Sequence, residues 1–423
     1  MARRNSQGRG PRQSPRAAQW EEERSPAPEA SVRRARGAQD GTPEVRLRGD
    51  LKGPPIWIFA GHIKAPPGLL PGTQVRLVSK EGRFLGSAFY NPHTTVALRF
   101  FPGVEKIDAS FLKGALARAR ELRQMTIGRQ EAYRLCHAEG DGLSGLVVDV
   151  YGDCIVVAPQ SAGWLYLIDD VVASLMSLFP ESRVLLRPDR RVEEREKADF
   201  SIAGRHLKGP DSVTIHEHGI AYTVDLGEGH KTGFFCDQRA HRAEVARLSR
   251  GREVLDVCCY TGGFALNAAK GGASKVHAVD LDEKAIAVAK ENAKMNKARV
   301  DFEHADAFDM LREWKKVGRQ ADMVILDPPK FAGSREDLGR AKRSYLDLNA
   351  LGIAAVRPGG TLVTCSCSGL LSEEEFMGLL IEASRQTGRD LQIFKVGGAD
   401  ADHPFTASFP EGRYLKVVYA RVR

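Results

Sequence analysis

The stretch REVLDVCCYTGGFAL, residues 252–266, decides how the chain folds. Its first half is a short apolar run closed by an acid and two cysteines, which reads as a buried strand running into a loop. Four later segments repeat the pattern: KVHAVD (275–280), VDFEHAD (300–306), ADMVILD (321–327) and GTLVTCSC (360–367). Helical stretches such as EKAIAVAKENAKMN (283–296) and EEEFMGLLIEASRQ (373–386) stand between or after them. Buried strands alternating with amphipathic helices specify an α/β fold with a doubly wound, Rossmann-like parallel sheet. LQIFKV and YLKVVYARV, at the end of the chain, are expected to close it.

Four of these strands end in or beside an aspartate: Asp256, Asp280, Asp306 and Asp327, spaced by 24, 26 and 21 residues. Each interval is close to one strand–helix unit, so all four acids fall on the carboxyl edge of the sheet, where ligands of such folds bind. Any single one could equally be a helix cap. The loop after the first strand narrows the choice of ligand. A dinucleotide site would place tight-turn glycines directly after the strand, to bring a pyrophosphate onto the helix N-terminus. Here Cys258, Cys259 and Tyr260 come first and Gly262 and Gly263 late. An acidic loop without a phosphate cradle suits S-adenosylmethionine, which carries a sulfonium and an ammonium and no phosphate. Asp280 is placed for the ribose hydroxyls and Asp306 for the adenine amine.

Outward from this region the chain changes character. Residues 1–43 hold nine arginines against five acids with little aliphatic bulk, the composition of a disordered basic arm, either RNA-steering or passive. From 44 to 107, short strands separated by Gly and Pro turns suggest a small β-barrel. Residues 108–228 mix strands with helices, at 108–124 and around LYLIDDVVASLMSLF, and form a central α/β region. The run RPDRRVEEREKADF (187–200) reads as a solvated excursion. The fourth region, 229–423, is the Rossmann-like unit. The net charge of +8 favours a polyanionic partner. Seven scattered cysteines fit a reducing cytoplasm, and neither a membrane span, an export signal nor a metal site is expected.

Two segments carry the chemistry. TCSCSG (364–369) sets Cys365 and Cys367 at a strand end, where the plain alternative is a pair of buried core thiols. LDPPKF (326–331) leaves the Asp327 carboxylate facing the cavity from a proline-stiffened loop. Acid-Pro-Pro-aromatic loops recur in methyltransferases acting on base amino groups, but here Lys330 precedes Phe331. Together with GHKTGFFCDQRAHR (229–242) and YTGGFAL (260–266), these segments make the chain resemble the bacterial 23S rRNA 5-cytosine methyltransferases of the large-subunit methyltransferase I type. The likeness extends more loosely back to WIFAGHI (57–63). One departure is visible, GPPIWIF in place of a GHPWVF-like stretch.

The resemblance implies a PUA-like barrel, a central α/β domain and a class I methyltransferase domain. It implies S-adenosylmethionine as cofactor and 23S rRNA, free or in a large-subunit precursor, as partner, with no DNA or membrane. Cys367 matches the family's nucleophile and Asp327 the acid that meets the base. Asp256, Tyr260, Gly262, Asp280 and Asp306 match the cofactor cradle, capped by Phe235 and Gln238. Lys330, Arg335, Arg340, Lys342 and Arg343, in a stretch with five basic residues against two acids, are candidates for RNA phosphates. Two other functions remain open at this level: a guanine methyltransferase acting on rRNA, and a non-catalytic RNA-binding assembly factor. A thiolate at Cys367 needs a positive environment, for which the N-terminus of the helix starting after Ser372 and Lys330 are the candidates.

Overall fold

The structure is a computed structural model, and it describes residues 41–50, 55–187, 189–200, 210–227 and 232–423. Almost all of the expected basic arm, and residues 53–54 of GPPIWIF, lie outside the described residues.

The alternating region folds as a seven-stranded sheet. Its strands are β1 (Glu253–Val257), β2 (Lys275–Asp280), β3 (Asp301–His304), β4 (Ala321–Leu326), β5 (Val356–Ser366), β6 (Leu391–Gly397) and β7 (Lys416–Val422). The spatial order is β3-β2-β1-β4-β5-β7-β6. Strands β1 to β5 run parallel, and β7 pairs antiparallel with both β5 and β6. Helices α1 (Arg239–Leu248), α2 (Gly263–Lys270), α3 (Glu283–Met295), α4 (Ala307–Val317), α5 (Leu338–Ala355) and α6 (Glu373–Thr387) cover the two faces. Side-chain alternation divides β1 between two cores: Leu255 and Val257 pack with Trp314 and Leu351, Val254 with Val276 and Phe264. Strands buried on both faces read as near-continuous apolar runs, as Met323–Leu326 does in β4, while β1 is interrupted within its buried length by Asp256.

The sheet order reverses between β1 and β4, which opens a crevice at their carboxyl ends. Helix starts there are capped by acids and hydroxyls. Asp282 accepts from Ala285 N, Asp306 from Phe308 N and Asp309 N, and Ser372 with Glu375 forms a capping box on α6.

Upstream, six strands form a nearly closed, barrel-like sheet around Val45, Ile58, Leu77 and Leu98. The stretch IWIFAGHI (56–63) is divided by a turn at Ala60–His62, because its halves pair with different neighbours. Trp57–Phe59 joins Val96–Arg99, whereas Ile63–Lys64 joins Arg46–Leu47. A four-stranded sheet follows, with helices Ala109–Ile127 and Ile168–Leu178 and a hairpin, Ser212–Glu217 with Ile220–Asp225.

The charged run at 187–200 is not a solvated excursion. Asp189 caps a short helix, Arg190–Glu196, whose inward face carries Val192 and Glu196, and Phe200 is buried beyond it. Glu196 accepts from Asn91 Nδ2 at 3.0 Å and from Ala162 N at 3.1 Å, so a spacing of four puts one acid of the run inside. The run's other charges hid that face.

The hairpin is fixed to the large sheet by polar ties. Asn292 of α3 and Asn296, the residue that ends it, accept from Thr223 N and Ala221 N. Arg242 of α1 makes a two-pronged ion pair with Glu217 at 2.6 and 2.7 Å, and all three of Arg239, Arg242 and Glu217 are buried. Glu217→Ala would leave the buried Arg242 guanidinium without its paired carboxylate. The expected cost is about 3–5 kcal/mol of unfolding free energy, measurable by urea titration against the parent chain.

Candidate active site

The crevice between β1 and β4 holds a cavity of about 750 Å³, inside the roughly 300–1,000 Å³ typical of small-molecule sites. Its floor begins with the loop after β1. Cys258 and Tyr260 adopt positive φ angles of 63° and 50°, an arrangement that ordinary side chains rarely take and that marks a functional turn. Asp280 holds this turn: one carboxylate oxygen accepts from Tyr260 N at 2.8 Å and the other from Asp282 N at 2.9 Å. The Phe235 ring stands edge-on to Tyr260, with centroids 5.2 Å apart.

Tyr260, Asp280, Asp306, Phe235 and Gln238 all line the cavity, and so do Asp327, Cys367 and Lys330. Two expected cradle residues do not. Asp256 is fully buried beneath the loop, where one oxygen accepts from Ala265 N at 2.8 Å and the other has no hydrogen-bond partner among the described residues. Burial first, and then the charges of Asp327 and Asp280, push its carboxyl up to about 8. Gly262 also lies below: its φ is 86°, and a Cβ there would meet the Phe302 ring at 3.3 Å. These two residues shape the cradle from underneath.

The opposite wall carries the thiol. Cys365, within β5, is completely buried and its thiol is pushed up by burial. Cys367, just past the strand, is partly exposed to the cavity. Ser368 fixes its position. The Ser368 hydroxyl accepts from Ala332 N at 3.3 Å and bonds the Tyr345 hydroxyl at 2.9 Å, which joins TCSCSG to the end of LDPPKF. Its carbonyl accepts from the buried Lys416 ammonium at 2.7 Å, and the same Nζ donates to the carbonyls of Leu371 and Tyr414. Burial lowers Lys416 to about 8, against the opposing pull of Cys367. Gln238 Nε2 donates to Asp327 at 3.1 Å, and the neighbouring Asp237 accepts from the Tyr414 hydroxyl.

Asp237, Tyr414 and Lys416 escaped the sequence reading. A lysine amid the apolar run of YLKVVYARV was the available signal for one of them, since such a position is seldom charged without a partner. Of the five basic candidates, Lys330 stands exposed at the rim, as do Arg335 and Arg343 nearby. Arg340 pairs with Asp337 at 2.8 Å and Lys342 with Glu375 at 2.7 Å. Arg191, from the misread charged run, also reaches the cavity.

A cavity edged by Asp280, Asp306 and Asp327 suits a cationic ligand that carries hydroxyls and an amine. Residues 190–391 match the model of the S-adenosylmethionine-dependent methyltransferases, and residues 50–102 that of the PUA-like domain. The ribosomal RNA large subunit methyltransferase I of Vibrio cholerae is 39% identical over 370 residues, covering 85% of this chain and 93% of that protein. Its namesake from Aeromonas salmonicida is 37% identical over 376 residues, covering 87% and 95%. The chain belongs to the ribosomal RNA large subunit methyltransferase I family. Among solved structures, SMU.776, a methyltransferase complexed with SAH, matches in fold with a TM-score of 0.76 at 22% identity. The match covers 90% of this chain and 99% of that one. The cofactor of this family member is S-adenosylmethionine.

Asp256 gives a pH test of this geometry. Its folded value lies above the ordinary carboxylate range, so the folded state holds a proton that the unfolded chain releases. The stability this lends is greatest at low pH and declines as pH rises towards 8. Between pH 6 and 8 the unliganded protein should lose about 2 kcal/mol through this group. Asp256→Asn, which keeps the shape of the protonated acid, should flatten that part of the profile, as read from denaturation midpoints at pH 6, 7 and 8.

Proposed function

We propose that the protein methylates C5 of a cytosine in 23S rRNA through a covalent bond between Cys367 and C6 of the base. One observation carries this reading: Cys367 and Asp327 line the same cavity as the acids suited to the cofactor. The names of the relatives support large-subunit rRNA as substrate, and the PUA-like barrel together with the exposed basic residues by the cavity supports an RNA partner. Whether free rRNA or a large-subunit precursor is taken, a base within a duplex must be flipped out to reach the thiol.

The chemistry explains why a thiol is required. C5 of cytosine is a poor nucleophile until the Cys367 thiolate adds to C6 and makes C5 the carbon end of an enamine. Asp327, oriented by Gln238, faces the N3 and N4 edge and accommodates the charge that develops there. Bound S-adenosylmethionine supplies the electrophilic methyl. Asp280 is the ribose acceptor and Asp306 faces the adenine amine, with Phe235 and Tyr260 closing over the ligand. Lys416, rather than Lys330, supports the thiolate. It is buried against the carbonyl of the residue after Cys367, whereas Lys330 is exposed. Lys330, Arg335 and Arg343 are the phosphate contacts, since Arg340 and Lys342 already have acidic partners. A guanine methyltransferase would have no use for Cys367.

Cys367→Ala should abolish methylation while cofactor binding and the melting temperature stay near the parent values. RNA with 5-fluorocytidine at the target should trap the parent enzyme as an adduct that mass mapping places on Cys367. An adduct on Cys365, or efficient turnover by Cys367→Ala, would falsify this mechanism. Asp280→Ala should weaken S-adenosylmethionine by about 1–3 kcal/mol in calorimetry, the scale for unpaired buried polar groups; unchanged affinity would remove Asp280 from the cofactor site.

A further inference from the structure

Once C5 carries both a methyl and its original hydrogen, a base must take that proton before the thiol can leave. Some RNA cytosine methyltransferases use a second cysteine in the proline-rich loop, but positions 328 and 329 are both proline here. We propose that Asp237 is this base. The assignment rests on the cytosine reading above.

Asp237 sits on the turn Cys236–Gln238 ahead of α1, next in sequence to the residue that orients Asp327. It lines the cavity together with Cys367 and Leu415. Its carboxylate accepts from the Tyr414 hydroxyl. Tyr414 in turn is tied to the thiol wall, because Lys416 Nζ donates to the carbonyls of both Tyr414 and Ser368. Asp237 therefore reaches the cavity through the same wall as the nucleophile. Asp280 and Asp306 reach it from the ends of β2 and β3. If the methyl arrives from that side, the hydrogen left on C5 faces the sulfur side, where Asp237 stands.

The other candidates on that wall are committed elsewhere. Lys416 spends its three donors on carbonyls, and as an ammonium it has no lone pair to offer. Tyr414 is the donor to Asp237, and burial pushes its phenol well up. Cys365 is sealed in the sheet. Asp327 is engaged by Gln238, and the cytosine reading already assigns it to the N3 and N4 edge of the base.

The step balances. The Asp237 carboxylate takes the C5 proton, and the electron pair of the C5–H bond becomes the C5–C6 double bond. The C6–S bond breaks and its pair returns to Cys367 as thiolate. The proton leaves Asp237 for solvent when the RNA departs. Tyr414 is a positioning residue: its hydroxyl aims the carboxylate.

RNA tritiated at C5 of the target cytosine separates this step from methyl transfer, using the full chain and S-adenosylmethionine. The parent enzyme should release one tritium per methyl transferred. Asp237→Asn should complete the first methyl transfer, keep the tritium, and accumulate a denaturant-resistant adduct on Cys367. Its release rate should fall by about 10²–10⁴-fold, the range for a lost general base. Release at the parent rate overturns the assignment. So does a folded, cofactor-binding Asp237→Asn that makes neither methyl product nor adduct, since Asp237 would then act before the elimination. If that variant does not fold, Tyr414→Phe carries the test: a slower release with visible adduct supports the proposal, and an unchanged one-to-one ratio overturns it. A parent enzyme not trapped by 5-fluorocytidine RNA would sink the cytosine reading itself. Trapping combined with normal release by Asp237→Asn would sink the base alone.

Discussion

The parallel pairing of β1 with β4, from Val254 opposite Met323 to Val257 opposite Leu326, places the loop 258–263 beside the loop 327–331. Both strands are completely buried along their shared length, and all but Asp256 there is apolar, so a slip of one residue would exchange the sets of side chains serving the two cores. That register is what brings Asp327 close enough to Asp256 to raise its proton affinity further, on top of burial. It also delivers β5, paired to the far side of β4, with Cys367 at its end. Ser368 then converts strand neighbourhood into loop geometry, because its hydroxyl spans to Ala332 and Tyr345.

The electrostatics of the cavity are divided. The β1–β3 side gathers carboxylates, and one of them, Asp256, is held near 8 and so carries a proton at neutral pH. Keeping that acid neutral spares this side of the cavity one more buried charge. The β5–β7 side instead buries an ammonium, Lys416, against three carbonyls. On the proposed mechanism, a cofactor that arrives positive and a thiol that must become negative want opposite surroundings, and the sheet supplies them from opposite sides of its switch point.

What the sequence made legible was periodic or chemically loud. The alternation of β1 to β5, the four strand-end acids and the TCSCSG thiols could all be read, since each is a spacing or a residue type with few other uses. The charged run 187–200 failed because its buried face consists of one valine, one glutamate and a distant phenylalanine among many surface charges. Asp256 failed in detail: a strand-end acid looks the same in sequence whether it faces the ligand or lies under the loop. Asp237, Tyr414 and Lys416 meet only through the fold, with Asp237 far from the other two along the chain, so no local pattern could announce them.

That last group explains a role for the chain outside the sheet. Asp237 and Gln238 open α1, and the two arginines that follow are clamped from elsewhere: Arg242 by Glu217 of the hairpin, Arg239 by Asp400 and Asp402. Burial alone would push Asp402 up, but His403 and Arg239 hold it well below the usual carboxylate range, so the clamp is ionised. Arg239 also donates to the carbonyl of Ala132, and Arg134 N donates to Asp402, which draws in the four-stranded central sheet. The turn bearing two chemistry-carrying side chains is thus set by charges from the hairpin, the central sheet and the loop before β7. The aim of Asp237 and Gln238 therefore depends on the packing of those three regions as well as on the large sheet.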